Sequence, residues 1–203
     1  VGVKQFLEPY LPVPRIVSEE GKYRLDYDRF DTIGKVRSMF GNFAVLVRAY
    51  SYILAQGGDG LKEVSQKAVL NSNYLKSKVV PTYEMPFAQL RKHEFVVSAK
   101  KLAKEKGVHA TDIAKALLDR GFMSPTIYFP SLVEEALMIE PTESESKETL
   151  DRYAQALLDI ANADPAEVKK APISTSISRV DEVYAAKELI LSWRMYQRKA
   201  GLK

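Results

Sequence analysis

MSPTIYFPSLVEEALMIEPTESESKE, residues 123–148, is the stretch on which the reading of this chain turns. It holds two short apolar runs, Thr126–Phe129 and Ala136–Ile139, each bounded by turn residues, which predicts two strands. Pro125, Pro130 and Pro141 punctuate them. Thr142 and Glu145 then have capping-box spacing and predict the start of a long amphipathic helix. Its inner face is expected to be Leu150, Tyr153, Ala154, Leu157 and Ala161, at helical spacing, with Glu148 and Arg152 paired one turn apart outside.

Upstream of this stretch, Glu94–Val97 reads as a further strand, and Thr111 as the N-cap of a short helix. That helix turns Ile113, Ala114, Leu117 and Leu118 inward and stops at Gly121. Between Ser38 and Gln56 there is no proline, and Phe43, Leu46, Val47, Tyr50, Ile53 and Leu54 recur at spacings of three and four, the apolar face of a helix. Gly57–Gly58 is its stop signal. A second helix is expected from about Asp59, with Val64, Ala68, Leu70, Leu75 and Val79 as its apolar face and Pro81 as its limit. The opening segment, residues 1–33, carries Pro9, Pro12 and Pro14 and reads as an extended, irregular tether. Downstream, a short helix over Ala166–Lys170, an extended Ser/Thr-rich piece and a last helix over Asp181–Leu191 complete the chain. Helices followed by β-α-β-β-α give an α+β domain, a small sheet covered by helices, over residues 34–203.

Totals exclude several classes. A chain of 203 residues that is 46% hydrophobic and 28% charged can bury a core and is not disordered. It has no Cys, which removes disulfides, thiolate zinc sites and a cysteine nucleophile, and suits a reducing compartment. Its two histidines, His93 and His109, do not have the spacing of a metal-ligand motif. The net charge of +4 is spread among acids, as in Lys100–Lys106, so a solvated face accounts for it better than nucleic-acid binding. The longest apolar run, Phe43–Val47, is too short to span a membrane. No signal peptide is seen, and because the chain opens on Val1 it is expected to have been cut, processed or excerpted, so that its start need not be a domain boundary.

Candidate sites are few. Glu134, Glu135, Glu140, Glu143 and Glu145 could suggest a glycosidase pair, but they surround a strand and a helix start, where solvation and the helix dipole explain them. Gly57–Gly60 lacks the GK[ST] ending of a phosphate loop and follows a helix. His93 beside Glu94 fits a general base or an anion partner, or a structural role at a strand entry. Gly41–Asn42 are poor choices in a helix, which leaves site-related and structural roles open. Arg37 and Arg48 are the cations best placed to meet an anion, against an ion-paired or solvated role. No nucleophile, metal or nucleotide motif stands out.

The string from Gly121 to Glu148 resembles the C-terminal region of glycine dehydrogenase (decarboxylating), the P-protein of the glycine cleavage system. Gly34–Arg37, Gly41–Phe43, Leu46–Tyr50, Ala68–Asn71, Asn73–Leu75 and His93–Val96 extend the match in the same order, and Arg179–Trp193 is similar but looser. The split form, in which the C-terminal half is a separate subunit, is the nearest likeness. The resemblance implies the small C-terminal domain of a fold-type-I enzyme that uses pyridoxal 5′-phosphate (PLP). Residues 1–33 would then be the tether from a PLP-binding large domain. In such enzymes PLP serves as an electron sink for glycine decarboxylation, and the aminomethyl group passes to the lipoyl H-protein.

The family's PLP lysine lies before a Gly-rich loop upstream of the segment matching Val1–Lys4. Lys4 is therefore not that lysine, and the chain alone is expected to bind no PLP covalently and to be inactive. Arg37 or Arg48 is expected to meet the substrate carboxylate, with Asn42 and His93 as secondary contacts. Expected partners are the N-terminal half or subunit 1 and the H-protein, in an oligomeric cytoplasmic enzyme of glycine catabolism, with no nucleic acid or membrane partner. The alternative is a non-catalytic binding or assembly module that kept the fold.

Overall fold

The computed structural model describes residues 2–36 and 41–202. The chain divides into two compact units at Gly58/Asp59.

The first unit opens with a 3₁₀ helix, Gln5–Tyr10, and a hairpin of β1 (Arg15–Glu19) and β2 (Lys22–Asp26). The hairpin is ordered structure where an irregular tether was expected. The prolines that suggested the tether all precede the strands, so none removes a donor from the ladder. Glu20 and Gly21 both have positive φ, the geometry of the two-residue turn that matches strand twist. Antiparallel pairing sets Ile16 opposite Leu25 and Ser18 opposite Tyr23 on one face, with Arg15/Asp26, Val17/Arg24 and Glu19/Lys22 on the other. Arg24 and Glu19 form a two-pronged pair on the charged face, at 2.6 and 3.0 Å.

Helical structure then runs through α1, Phe43–Val79. Asn42 caps it: its Oδ1 accepts from the Val45 N–H at 3.3 Å and its carbonyl from the Leu46 N–H. The expected stop is real but confined to one residue. Gly57 alone leaves helical geometry, at φ 63° and ψ −177°, a conformation glycine adopts without Cβ strain.

The second unit carries the core. Its sheet has the order β3-β5-β4, with β3 (Phe95–Ser98) and β4 (Thr126–Ile127) both antiparallel to the central β5 (Ala136–Ile139). Register pairs Phe95 with Ile139 and Val97 with Leu137, and all four side chains are buried. Over them pack the end of α1 (Leu75, Val79), Tyr83, α2 (Lys100–Lys106) through Leu102, and α3 (Ala110–Leu118) through Ile113 and Leu117. Leu150, Leu157 and Ile160 of α4 (Lys147–Asn162) complete the layer, with Val168 of α5 (Pro165–Lys170). The outer helices are α6 (Glu182–Lys187) and α7 (Trp193–Lys199).

Several expectations shift in detail. In α1 the buried positions are Ser72, Leu75 and Val79, with Val64 and Ala68 half-buried, and Leu70 is exposed. Leu70 lies about 200° around the helix from Ala68, off the inward stripe. The cap of α3 is His109, not Thr111, closed by Asp112, whose Oδ2 accepts from the His109 N–H at 2.8 Å. The cap of α4 is Ser146, whose Oγ accepts from the Thr149 N–H at 3.1 Å, while Thr142 and Glu145 form a separate turn one step earlier. The inner face expected for α4 is buried or half-buried, whereas Arg152 lies over the Phe122 ring at 5.6 Å instead of pairing with Glu148. The second strand of the opening stretch matches residue for residue, but the first ends at Ile127 because Tyr128 turns to φ 58°. The single last helix is replaced by α6 and α7.

Candidate functional site

Antiparallel pairing of β5 with β4 brings Thr126 opposite Met138. Beside this pair, the turn that follows β5 and the first turns of α4 enclose a cavity of about 380 Å³ within the second unit. Its apolar lining comes from residues such as Leu75, Phe122, Met138, Leu150 and Tyr153. Its polar lining comes from Ser124, Thr126, Glu140, Thr142, Glu145 and Thr149. Most of the wall is therefore the opening stretch of the sequence, folded back on itself.

Two asparagines of α1 hold the surroundings. Asn71 donates from Nδ2 to the carbonyls of Thr142, at 2.9 Å, and Glu145, at 3.2 Å, which fixes the turn along the cavity. Asn73 donates to the Arg91 carbonyl at 2.7 Å and accepts from the Arg91 N–H at 3.0 Å. Sequence reasoning missed both roles. The available signal was two asparagines, poor helix formers, two residues apart inside a helix. Next to them, the Tyr74 hydroxyl donates to Asp151, and Lys147 reaches the same carboxylate at 2.7 Å. Lys147 and then the Tyr74 hydroxyl hold the Asp151 carboxyl below its ordinary value, while the Lys147 ammonium is raised to about 12.

The site residues expected from sequence fall in different places. His93 precedes β3, and the β3–β5 register carries it beside Glu140, Nε2 to Oε1 at 3.9 Å; Glu140 lines the cavity, and His93 is not part of its wall. Asn42 and Arg48 both belong to the first unit, Asn42 as the helix cap and Arg48 exposed on α1. Six residues apart, they sit about 120° from each other around the helix axis and do not share a face. Arg37 lies outside the described residues.

Of the glutamates, Glu140 and Glu145 line the cavity, whereas Glu134 and Glu135 do not. Glu134 pairs with Lys100 at 2.7 Å, and Glu135 accepts from His109 Nδ1 at 2.8 Å and from the Ala110 N–H at 2.7 Å. Glu135 thus compensates a helix start, that of α3. Asp119, also missed, accepts from Ile173 N–H, Ser174 N–H and the Ser174 hydroxyl at 2.7–3.0 Å, tying the C-terminal segment to the end of α3. Burial alone would raise its carboxyl; the Ser174 hydroxyl and the two backbone donors outweigh that and hold it below the ordinary range.

Among the described residues, no group of three or more His, Asp or Glu could hold a metal ion. A lysine linked to PLP needs a lowered pKa in a desolvated pocket. No lysine lines the cavity, and Lys100, Lys147, Lys170 and Lys199 are all raised, first by hydrogen bonds to Glu134, Asp151, Glu167 and Glu188. The residues that line this cavity do not fit covalent PLP attachment. Nor, among the described residues, is any helix long and apolar enough to cross a membrane.

The α+β architecture has a solved counterpart: a glycine decarboxylase (P-protein) of the glycine cleavage system, in inhibitor-bound form, matches 75% of this chain at a TM-score of 0.60 and 21% identity, using 36% of that protein. The family model described as glycine dehydrogenase, C-terminal domain, matches residues 64–183. The probable glycine dehydrogenase (decarboxylating) subunit 2 of Pyrococcus furiosus is 55% identical over 204 residues, which is 97% of this chain and 41% of the relative. Its counterpart in Desulforamulus reducens is 50% identical over 196 residues, 95% of this chain and 40% of the relative. The chain belongs to the glycine dehydrogenase (decarboxylating) family and carries its C-terminal domain. It spans about two fifths of the length of these relatives.

Proposed function

We propose that this chain is the C-terminal portion of the PLP-dependent glycine decarboxylase of the glycine cleavage system. The observation that carries the reading is the 55% identity to a glycine dehydrogenase subunit 2 across 97% of the chain. In the complete enzyme glycine loses carbon dioxide and its aminomethyl group passes to the lipoyl H-protein. This chain supplies the small domain of a fold-type-I enzyme, with residues 1–33 leading from the PLP-binding part. Without that part it neither binds PLP covalently nor decarboxylates glycine. Its partners are the N-terminal half, as subunit 1 of a split enzyme, and the H-protein, in a cytoplasmic oligomer.

Substrate contact is assigned by chemistry. A planar guanidinium matches a carboxylate with two parallel donors, so Arg48 or Arg37 receives the glycine carboxylate. His93, turned toward Glu140, and Asn42 are secondary polar contacts. The test uses full-length subunit 2 assembled with subunit 1 and reads glycine–carbon dioxide exchange. Alanine at Arg48 or Arg37 is expected to raise KM for glycine tenfold or more, the order of a lost hydrogen bond to a charged group. Unchanged KM and kcat for alanine variants of Arg37, Asn42, Arg48 and His93 would remove the assignment, and no exchange by the wild-type assembly would remove the function.

A further inference from the structure

Not one described residue of the first unit is buried, although it carries a strongly apolar helix. Phe43, Leu46, Tyr50, Ile53 and Leu54 are each at least half exposed, and with Val47 they fall within a stripe about 120° wide on α1. Those six side chains offer on the order of 700 Å², close to one side of a standard stable interface and more than the largest apolar patch of an ordinary monomer. The hairpin repeats the pattern. Ile16, Tyr23 and Leu25 share its uncharged face and are exposed, while its other face is satisfied by its own ion pairs. A two-stranded hairpin is marginal in water without a cover.

We infer that the stripe Phe43–Leu54 is the docking face for the part of the glycine dehydrogenase subunit 2 polypeptide that lies outside the match to this chain. The inference rests on the family reading above, which leaves 59% of the Pyrococcus furiosus relative beyond the 41% matched here. Covalent connection favours this occupant over a free partner, because a linked surface is present at an effective concentration in the millimolar range. One body that covers both the helix stripe and the hairpin face also accounts for the first unit having no buried residue. Docking through the stripe leaves Arg48, about 140° round the helix from Phe43, on the other side, free to meet an anion.

Hydrogen exchange of α1 amides 46–56 tests this, comparing the 203-residue chain, full-length subunit 2 alone, and subunit 2 assembled with subunit 1. The expected result is exchange at least about a hundredfold slower in full-length subunit 2 than in the 203-residue chain, as for amides moved from a fraying element into a core. Ile53→Glu and Leu46→Glu in the full-length protein abolish that slowing, while Leu132→Glu, exposed in the second unit, leaves it intact. Equal exchange in the short and full-length chains overturns the inference. Protection of the short chain that grows with its concentration overturns it in favour of a second copy. Protection that appears only with subunit 1 overturns it in favour of that partner. Glycine–carbon dioxide exchange is read separately: a silent wild-type assembly would sink the proposed function while leaving the docking result to stand by itself.

Discussion

The two compact units put comparable apolar side chains to opposite uses. In the second, Leu75, Phe95, Val97, Ile113, Leu137 and Leu157 are almost fully hidden around one small sheet. In the first, Phe43, Leu46, Tyr50 and Ile53 remain largely in water, although they have the same helical spacing. Periodicity therefore identifies which face is apolar but not what covers it. The contrast separates the two units: the one with a core frames the cavity, and the one without a core is all surface.

The sharpest way to break the comparison is to truncate equivalent leucine-like side chains in the two units. Leu157→Ala is expected to cost about 2–5 kcal/mol, because it empties a filled core position, whereas Ile53→Ala in the 203-residue chain should stay within about 0.5 kcal/mol. Denaturant unfolding of both variants checks this, and equal costs would erase the distinction.

Next in size is Tyr83, whose hydroxyl donates to the Leu157 carbonyl at 2.9 Å inside the core. Tyr83→Phe is expected to cost about 1 kcal/mol in the same unfolding assay. Burial raises the Tyr83 and Tyr153 phenols above the ordinary tyrosine value of 10.0. Their contribution is complete below pH 10 and is lost as pH rises beyond it toward the folded values, so alkaline titration should destabilise wild type more than a Tyr83→Phe, Tyr153→Phe double variant.

Asn71→Ala removes the two donors that hold Thr142 and Glu145. The expected loss is about 0.5–1.5 kcal/mol, with faster amide exchange confined to residues 141–146. A uniform loss across the second unit would mean that the turn is part of the core and not an appendage.

The smallest effect belongs to Asp119. Its carboxyl is held below the ordinary value, so the stability it contributes is present above the ordinary aspartate pKa of 3.8 and is lost as pH falls through the folded value. Because the group is largely exposed, only the Ile173 and Ser174 amides are expected to lose protection in that acidic window, and Asp119→Asn should abolish the pH dependence.

Much of this was legible in the residues because local rules carry it. The Ala136–Ile139 strand, the inner face of α4 and the break at Gly57 follow from periodicity and from glycine's tolerance of positive φ. The caps were misplaced by a few residues because Thr111 is intrinsically a better cap than His109 and Thr142 is comparable to Ser146, and only tertiary packing chooses among them. The hairpin escaped notice because three prolines masked strands that start just after the last of them. Of the site, His93 beside Glu140 could be placed only once the register of β3 on β5 was known. The roles of Asn71, Asn73 and Asp119 depend on contacts across 18 to 74 positions, which no local pattern encodes.

Our central proposal is that this chain is part of a glycine decarboxylase and that the residues carrying its chemistry lie in the rest of that enzyme. It is tested most directly by glycine–carbon dioxide exchange with added PLP, measured on the 203-residue chain beside full-length subunit 2 assembled with subunit 1. The account predicts exchange by the assembly and none by the chain alone; exchange by the 203-residue chain with PLP would contradict it.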